Sequence, residues 1–288
     1  MYTQKDKEEI RDLMVEKQTR LGLSASQASK QIGFSDANFS YMVTSKWDKL
    51  GVSMWNLAAA WAGYKNGWTP AETGAFNKAQ NVCRVAQNER IAAALCDEPG
   101  MGKSYALKHY AEVNKSTVYI ECEEFWNRIV FLKAVAEGLG ISGSDTANDL
   151  SMLVNDICQA IKKGKATLII IDEFDKLDDK SWNLWKSLYN KTQDHTGWVL
   201  AGAPYFRKRL TTGRRSNKQA YKEIWSRVGQ EFIGMKTVTR KDVADICKAN
   251  GIEDKNLADK FYSGCDGDLR KLTRDIRKEK IRKQNQTA

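Results

Sequence analysis

The segment Asp97-Glu-Pro-Gly-Met-Gly-Lys-Ser104 constrains this chain more than any other. It follows the apolar run Ile91–Cys96 and precedes a helical pattern that starts at Ser104. A buried strand that runs through glycines into a helix N-terminus is the build of a phosphate-binding loop. Gly100 and Gly102 let backbone N–H groups curl round phosphate oxygens without a Cβ in the way, and the helix dipole adds to the attraction. Lys103 is placed to reach the β- and γ-phosphates of ATP, and Ser104 to ligate Mg²⁺. Pro99, Met101 and Tyr105 complete the expected nucleotide contacts. Asp97 stands where such loops usually begin with glycine. Aspartate tolerates turn geometry better than most residues, so binding is expected to survive, in weakened form.

A second signal lies in Leu168-Ile-Ile-Ile-Asp-Glu173. Four apolar residues read as a central strand buried on both faces. Asp172 at its end is expected to hold Mg²⁺, mostly through water, and Glu173 to orient and polarise the attacking water. Strand patterns at Ile91–Cys96, Thr117–Glu121, Thr167–Ile171, Gly197–Ala201 and Glu231–Ile233 alternate with helical ones at Ser104–Val113, Phe125–Leu139, Leu150–Lys163 and Ser181–Lys191. This alternation predicts an α/β core over residues 81–236, a parallel sheet with helices on both faces. Residues 66–80 carry the turn signals of a linker, and 237–288 return to helices alone.

The net charge of +10 is concentrated in two places. Residues 207–222 hold Arg207, Lys208, Arg209, Arg214, Arg215, Lys218 and Lys222 with no acid, and 270–283 hold eight cations against Asp275 and Glu279. Such clustering points to a polyanion partner. Double-stranded DNA is the expected one, contacted through Arg207, Lys208, Arg209, Arg214, Arg215 and Lys218. No apolar run approaches the ~20 residues that span a bilayer, and the charged start argues against a signal peptide. A cytoplasmic, membrane-free protein is expected. The six cysteines include no C-x-x-C pair, which reads as reduced thiols instead of a disulfide or zinc framework.

Residues 1–65 form a small all-α pattern. Leu21–Met42 resembles the helix-turn-helix of lambda-repressor-like domains, with Gly33 in the turn, small Ser29 at the helix contact and Ser35 capping the second helix. Ile32, Phe34, Phe39 and Met42 are spaced to fill its core. Asn38, Ser40 and Lys46 are its candidate DNA contacts, with Asp36, Tyr41 and Lys49 nearby. The second helix lacks Arg and Lys, so weak, non-specific contact or a protein–protein role is expected. Trp47, Trp55, Trp61 and Trp68 read as small-domain core and linker packing. Trp182 and Trp185 read as core or subunit interface.

The two nucleotide motifs resemble those of the AAA+ branch of P-loop ATPases. Ser226-Arg227-Val228 is similar to the box that supplies an arginine finger to a neighbouring subunit, with Arg207 and Arg209 as alternatives. Gly267-Asp-Leu-Arg270 is similar to sensor 2, in which a lid-helix arginine touches the γ-phosphate. Gly202 and Ala203 stand where sensor 1 usually has a polar side chain, which fits a slow, switch-like ATPase. A helix-turn-helix domain, one AAA+ core and a short helical lid with a basic end resemble, in order and size, the target-DNA activators of transposition typified by phage Mu B, related to the TnsC and IstB ATPases. That resemblance implies ATP-promoted assembly into a helical filament on duplex DNA, presentation of the DNA to a transposase, and disassembly on hydrolysis. A helicase loader or replication initiator, and an ATP-gated transcription regulator, are the competing readings.

Overall fold

The computed structural model describes Tyr2 and residues 4–64, 69–141 and 149–287, the side chains of Lys5 and 283–287 excepted. Residues 66–68 of the expected linker, Trp68 among them, and the side chain of Lys283 lie outside the described residues. No described helix is long and apolar enough to cross a membrane.

The chain divides into two units, Met1–Pro70 and Ala71–Ala288. The first holds α1 (Gln4–Leu21), α2 (Ala25–Ile32), α3 (Asp36–Val43) and α4 (Val52–Ala62). Its short helices depend on their caps. The Ser24 hydroxyl accepts the Gln27 N–H while the Gln27 side chain accepts the Ser24 N–H, a reciprocal capping box. Gly33 ends α2 at φ 83°, the left-handed geometry glycine adopts most readily, and Ser35 caps α3 by accepting the Asn38 N–H. Ile10, Met14, Ile32, Phe39, Met42 and Trp55 fill the centre. Trp47 meets Trp55 edge-on at 5.4 Å, so both belong to the core, with Trp61 packed half-buried against it.

The second unit is built on four strands, β1 (Ala92–Cys96), β2 (Thr117–Glu121), β3 (Leu168–Asp172) and β4 (Gly197–Gly202). All pairings are parallel and the order is β1-β4-β3-β2. Side chains alternate between two cores, as the two-residue period of a strand requires. Ile169, Ile171, Trp198 and Leu200 face one core, while Leu168, Ile170, Val199 and Ala201 face the other. The first core is covered by α7 (Arg128–Gly138), α8 (Leu150–Lys162), α9 (Asp179–Thr192), α10 (Pro204–Arg215) and α11 (Tyr221–Arg227). The second is covered by α5 (Gly74–Glu89) and α6 (Lys103–Val113). Three more helices follow, α12 (Arg240–Ala249), α13 (Lys255–Cys265) and α14 (Leu269–Thr287). Because β4 lies between β1 and β3, the carboxyl ends of these three strands are adjacent, and the loops that leave them converge.

Two expectations need correction. Residues 74–80, expected as linker, are the first turns of α5: Thr73 caps the helix by accepting the Phe76 N–H. The Thr-Gly turn signal was a helix start. Residues Glu231–Ile233, expected as a strand, contribute only an isolated parallel bridge from Ile233 to Leu95. Ile233 donates to Ala94 O and accepts from the Cys96 N–H. Left-handed Gly229 and Gln230 precede the bridge, and the next free N–H, on Met235, turns to the Asp97 carboxylate, so no ladder extends. Trp182 and Trp185 are fully buried, which settles them as core and not as a subunit interface.

Candidate functional site

The loop after β1 carries the phosphate-binding motif. Gly100 and Gly102 stand at φ 88° and 83°, a conformation that L side chains rarely adopt. Gly102 begins α6 without any side-chain cap, so the first N–H groups of that helix remain available to an anion. Lys103 is 9% exposed. Its ammonium donates to the carbonyls of Asp97 at 2.5 Å and Glu98 at 2.8 Å. Burial lowers its pKa, and Asp172 and Asp97 work against that shift. A desolvated ammonium held only by neutral carbonyls suits an incoming phosphate.

Asp97 has a different role from the turn-tolerant residue expected. Its φ is not positive. One carboxylate oxygen accepts the Glu98 N–H at 2.8 Å and the other the Met235 N–H at 2.7 Å. The residue that replaces glycine thus ties the loop to the segment bridging β1.

Asp172, 1% exposed, ends β3. It accepts from the Tyr119 hydroxyl at 3.0 Å and from the Glu173 N–H at 2.9 Å. Glu173 is left-handed, φ 55°, a strained geometry for a non-glycine residue that is costly unless the surroundings fix it. The fixing element is the turn Phe174–Lys176. Phe174 stacks on Trp182 at 5.0 Å, and its carbonyl accepts the Trp182 indole N–H at 3.0 Å. The Glu173 carboxyl is pushed up by burial, with Lys176 opposing; the two form a loose ion pair at 3.8 Å.

At the end of β4 the missing polar side chain has a steric cause. A Cβ on Gly202 would lie 2.4 Å from the Asp175 carboxylate and 2.9 Å from Phe206 Cβ. Asp175 fills the space, and one of its oxygens is buried without a hydrogen-bond partner among the described residues. Burial pushes its carboxyl up. Cys96, paired with Gly202 across the sheet, donates its thiol to Ala203 O at 3.1 Å, which locks the start of α10 beside the phosphate loop.

The Gly267–Arg270 segment does reach the loop. The Leu269 N–H donates to Gly100 O at 3.0 Å, and a Cβ on Gly100 would strike the Asp268 carboxylate at 2.3 Å. Asp268 also accepts the Arg270 N–H at 2.8 Å, capping α14. Arg270 is exposed in the first turn of α14. Arg227 lies against α9, where its Nε donates to Asn190 at 2.8 Å and its guanidinium faces Tyr189.

The basic run divides. Arg207, Lys208 and Arg215 are exposed, with the Arg207 guanidinium over Phe232. Arg214 lies half-buried over Trp225 at 4.7 Å. Arg209, expected as a DNA contact or an alternative finger, is held inside the fold. It donates to Asp175 O at 2.8 Å, Leu177 O at 2.6 Å, Asp179 at 2.7 Å and the Tyr221 hydroxyl at 3.2 Å, and it lies 4.1 Å over Trp182. Its donors are committed within the fold. Lys218 also pairs with Asp179 but stays half exposed. In the first unit, Ser40 and Lys46 are exposed, whereas the Asn38 amide donates to Met54 Sδ at 3.5 Å. Sequence reasoning missed Tyr119, Asp175 and Met235; only Tyr119 carried a signal, as a polar residue within a strand pattern.

The residues fit ATP with Mg²⁺: an uncapped helix start and a buried ammonium for phosphate, Ser104 and buried Asp172 for the cation. When bound, Mg²⁺ would supply charge neutralisation on the phosphates. Residues 87–210 match the family model of an AAA domain. The matched span contains the phosphate loop, Asp172, Glu173 and the start of α10, and it supports placing this region among the AAA+ ATPases, whose domain implies nucleotide binding and, in general, hydrolysis. No curated protein matches the chain.

Proposed function

We propose that the protein is an ATP-dependent DNA-binding ATPase that assembles as a helical filament on duplex DNA and delivers that DNA to a transposase, with hydrolysis driving disassembly. The observation that carries the DNA-binding part is the placement of α10. This helix starts at the carboxyl end of the sheet, tied to β1 through Cys96 and Ala203, and it exposes Tyr205, Arg207, Lys208, Thr212 and Arg215. A nucleotide site and a cationic, hydroxyl-bearing surface thereby share one short stretch of structure, which suits ATP-gated contact with a polyanion. The transposase and the filament rest on the resemblance of the modules in their order. Arg227 is the proposed finger for a neighbouring subunit's ATP, and Arg270 the proposed γ-phosphate contact. A head-to-tail contact of that kind yields a helix when its rotation does not close. Residues 1–65 serve as an accessory helix-turn-helix module.

Electron microscopy on long random duplex tests the reading, with ATP, with ADP, and with Lys103→Ala and ATP. Continuous filaments only with ATP and intact Lys103 are expected. Discrete rings, or binding confined to one sequence, would overturn it in favour of a loader or a regulator. Loss of Lys103 is expected to reduce turnover on the order of 10²–10³-fold, the range for removing one preorganised charge-stabilising donor.

A further inference from the structure

We propose that the cleft between α10 and the turn leading into α11 is a seat for one backbone phosphate of nucleic acid, and that Arg209 connects this seat to the turn following Glu173. The proposal rests on the reading of 207–222 as nucleic-acid contact and gives it a specific place.

The cleft encloses about 280 Å³ and is lined by Tyr205, Lys208, Thr212, Ser216, Lys218 and Tyr221, with Arg209 and Gly213 at its back. Seven of the eight lining residues carry a hydroxyl or a cation, and none is an acid. The Ser216 and Tyr221 hydroxyls already donate to the Thr212 and Gly213 carbonyls and to Asp179, which leaves the Tyr205 and Thr212 hydroxyls and the Lys208 ammonium as donors to an anion, joined by Lys218 in competition with Asp179. The Lys208 ammonium makes no ion pair or hydrogen bond among the described residues. Arg214 and Arg215 in the last turn of α10 offset the negative end of its dipole.

The walls are fixed. A Cβ on Gly213 would lie 2.1 Å from the Tyr221 ring, so α10 and α11 approach as closely as a glycine allows. The turn that carries Lys218 holds Asn217 and Ala220 at φ 55° and 71°. Asparagine takes up this geometry readily, but alanine does not, so at buried Ala220 the packing imposes it. Lys218 is thus presented by a rigid turn.

An internal anion already engages part of the seat. Asp179 accepts from Arg209 at 2.7 Å and from the Tyr221 hydroxyl at 2.6 Å, and it pairs with Lys218. Two cations against one carboxylate leave one positive charge, and Lys208 adds a second. A phosphate between Lys208 and Lys218 competes with Asp179 for Lys218 alone, because Arg209 is anchored elsewhere. Those anchors are the carbonyls of Asp175 and Leu177, one inside and one directly after the turn that holds Glu173 in its left-handed conformation. Occupancy of the seat therefore shifts the charge balance on the residue pair that braces the hydrolytic turn. Coupling of this kind is reciprocal: nucleotide state alters duplex affinity as duplex alters nucleotide affinity. An isolated phosphate gains little from two solvent-facing ammonium groups, so the polymer, with its further contacts along α10, is the ligand.

The test uses the full chain and a short random duplex, with affinity measured across a salt series. Lys208→Ala/Lys218→Ala is compared with Lys163→Ala/Lys191→Ala, which removes the same charge from exposed positions outside both the cleft and the 207–222 run. The cleft variant is expected to lose about one unit of the log–log salt slope, at ~0.9 for the single phosphate contact, and the control to keep the slope of the unmodified protein. Equal slopes in the two variants would overturn the seat and leave the wider DNA reading standing. A protein that binds no duplex at all would overturn both. Should the cleft variant misfold, Asp179→Asn reads the same site in the opposite sense. By releasing Lys218 it is expected to tighten duplex binding roughly two- to fivefold, the span of a surface ion pair; unchanged or weaker binding in a folded variant counts against the seat. Inorganic phosphate at matched ionic strength is expected to displace no more duplex than chloride does. Selective displacement would make the cleft a free-anion site and overturn the assignment to nucleic acid. Arg209→Lys reports on the connection: duplex binding is expected to remain while duplex-dependent change in ATP turnover is lost. Retention of that change would remove Arg209 from the pathway.

Discussion

Two cationic regions of this protein are built on opposite principles. The phosphate loop has one buried ammonium, Lys103, held by carbonyls and facing no fixed counter-ion in direct contact. The 207–222 run has seven cations, yet much of its charge is already engaged: Arg209 by three carbonyl or carboxylate acceptors, Lys218 by Asp179, Arg214 by the face of Trp225. The difference teaches that counted charge and available charge are separate quantities. One lysine in a desolvated loop is a stronger demand for an anion than an arginine whose donors are satisfied. Arg209 belongs energetically to the core, although its neighbours Arg207 and Lys208 face solvent.

The sharpest way to break that comparison is at the hydrolytic end. Glu173→Gln keeps the shape of the side chain and removes its basicity. Turnover is expected to fall by roughly two to four orders of magnitude, the usual range for a general base, while ATP remains bound; single-turnover hydrolysis beside a nucleotide-binding measurement separates the two. The pH profile carries the same information without a mutation. Burial pushes the Glu173 carboxyl up, and Lys176 only partly opposes this. The base form is lost as pH falls through the raised pKa, so the acid limb of kcat lies above the usual glutamate value of about 4.3. A limb at the ordinary value would show that Glu173 is not the base.

A smaller effect separates the two kinds of arginine. Arg209→Ala leaves the Asp175 and Leu177 carbonyls without their donor and removes one of the three donors to Asp179, and it is expected to destabilise the second unit by about 2 kcal/mol, from several hydrogen bonds at about 1 kcal/mol each. Arg215→Ala, at an exposed position, is expected to change stability by less than about 0.5 kcal/mol. Urea unfolding measures both, and equal values would erase the distinction. The acid limb adds a check. Burial pushes the Asp179 carboxyl up, but hydrogen bonds from Arg209, Lys218 and Tyr221 outweigh it and hold the group well below the usual range. A carboxyl depressed in the folded state contributes stability above its unfolded value of about 3.9 and loses it as pH falls further. Arg209→Ala should therefore flatten the stability curve in that acid window.

These contrasts explain what could be read before any coordinates. The strands at 92–96, 168–172 and 197–202 were legible because burial on both faces leaves only an unbroken apolar run. The phosphate loop was legible because its geometry admits few residue types. The start of α5 was misread because a cap and a turn use the same residues: Thr73 with Gly74 reads either way until Phe76 supplies the N–H. The bridge at Ile233 was overread because a single paired residue leaves a strand-like pattern with no strand behind it. Gly202 illustrates the deeper limit. Its lack of a polar side chain was visible, but the reason, a carboxylate from Asp175 in the space a Cβ would need, exists only after folding. The commitment of Arg209 was invisible for the same reason, since no local pattern tells which donors the fold consumes.

Asp97 gives the finest test of whether the loop is tuned as a pocket for an anion or as a joint in the sheet. Its two oxygens accept from Glu98 and Met235, one N–H each. Asparagine has one acceptor oxygen, and its NH₂ would face the remaining N–H donor, so Asp97→Asn keeps one bond and turns the other into a donor–donor contact. The expected loss is about 1 kcal/mol, the net contribution of one such hydrogen bond. The same change removes a negative charge whose field acts on Lys103, and with it a repulsion against incoming phosphate. Stability and ATP affinity should therefore move in opposite directions, the first down and the second up, when thermal unfolding and nucleotide titration are run on one sample. A variant that loses both would place Asp97 with the pocket, holding the loop in its phosphate-ready shape. A variant that loses only stability would place it with the joint, its charge too well screened to reach the nucleotide.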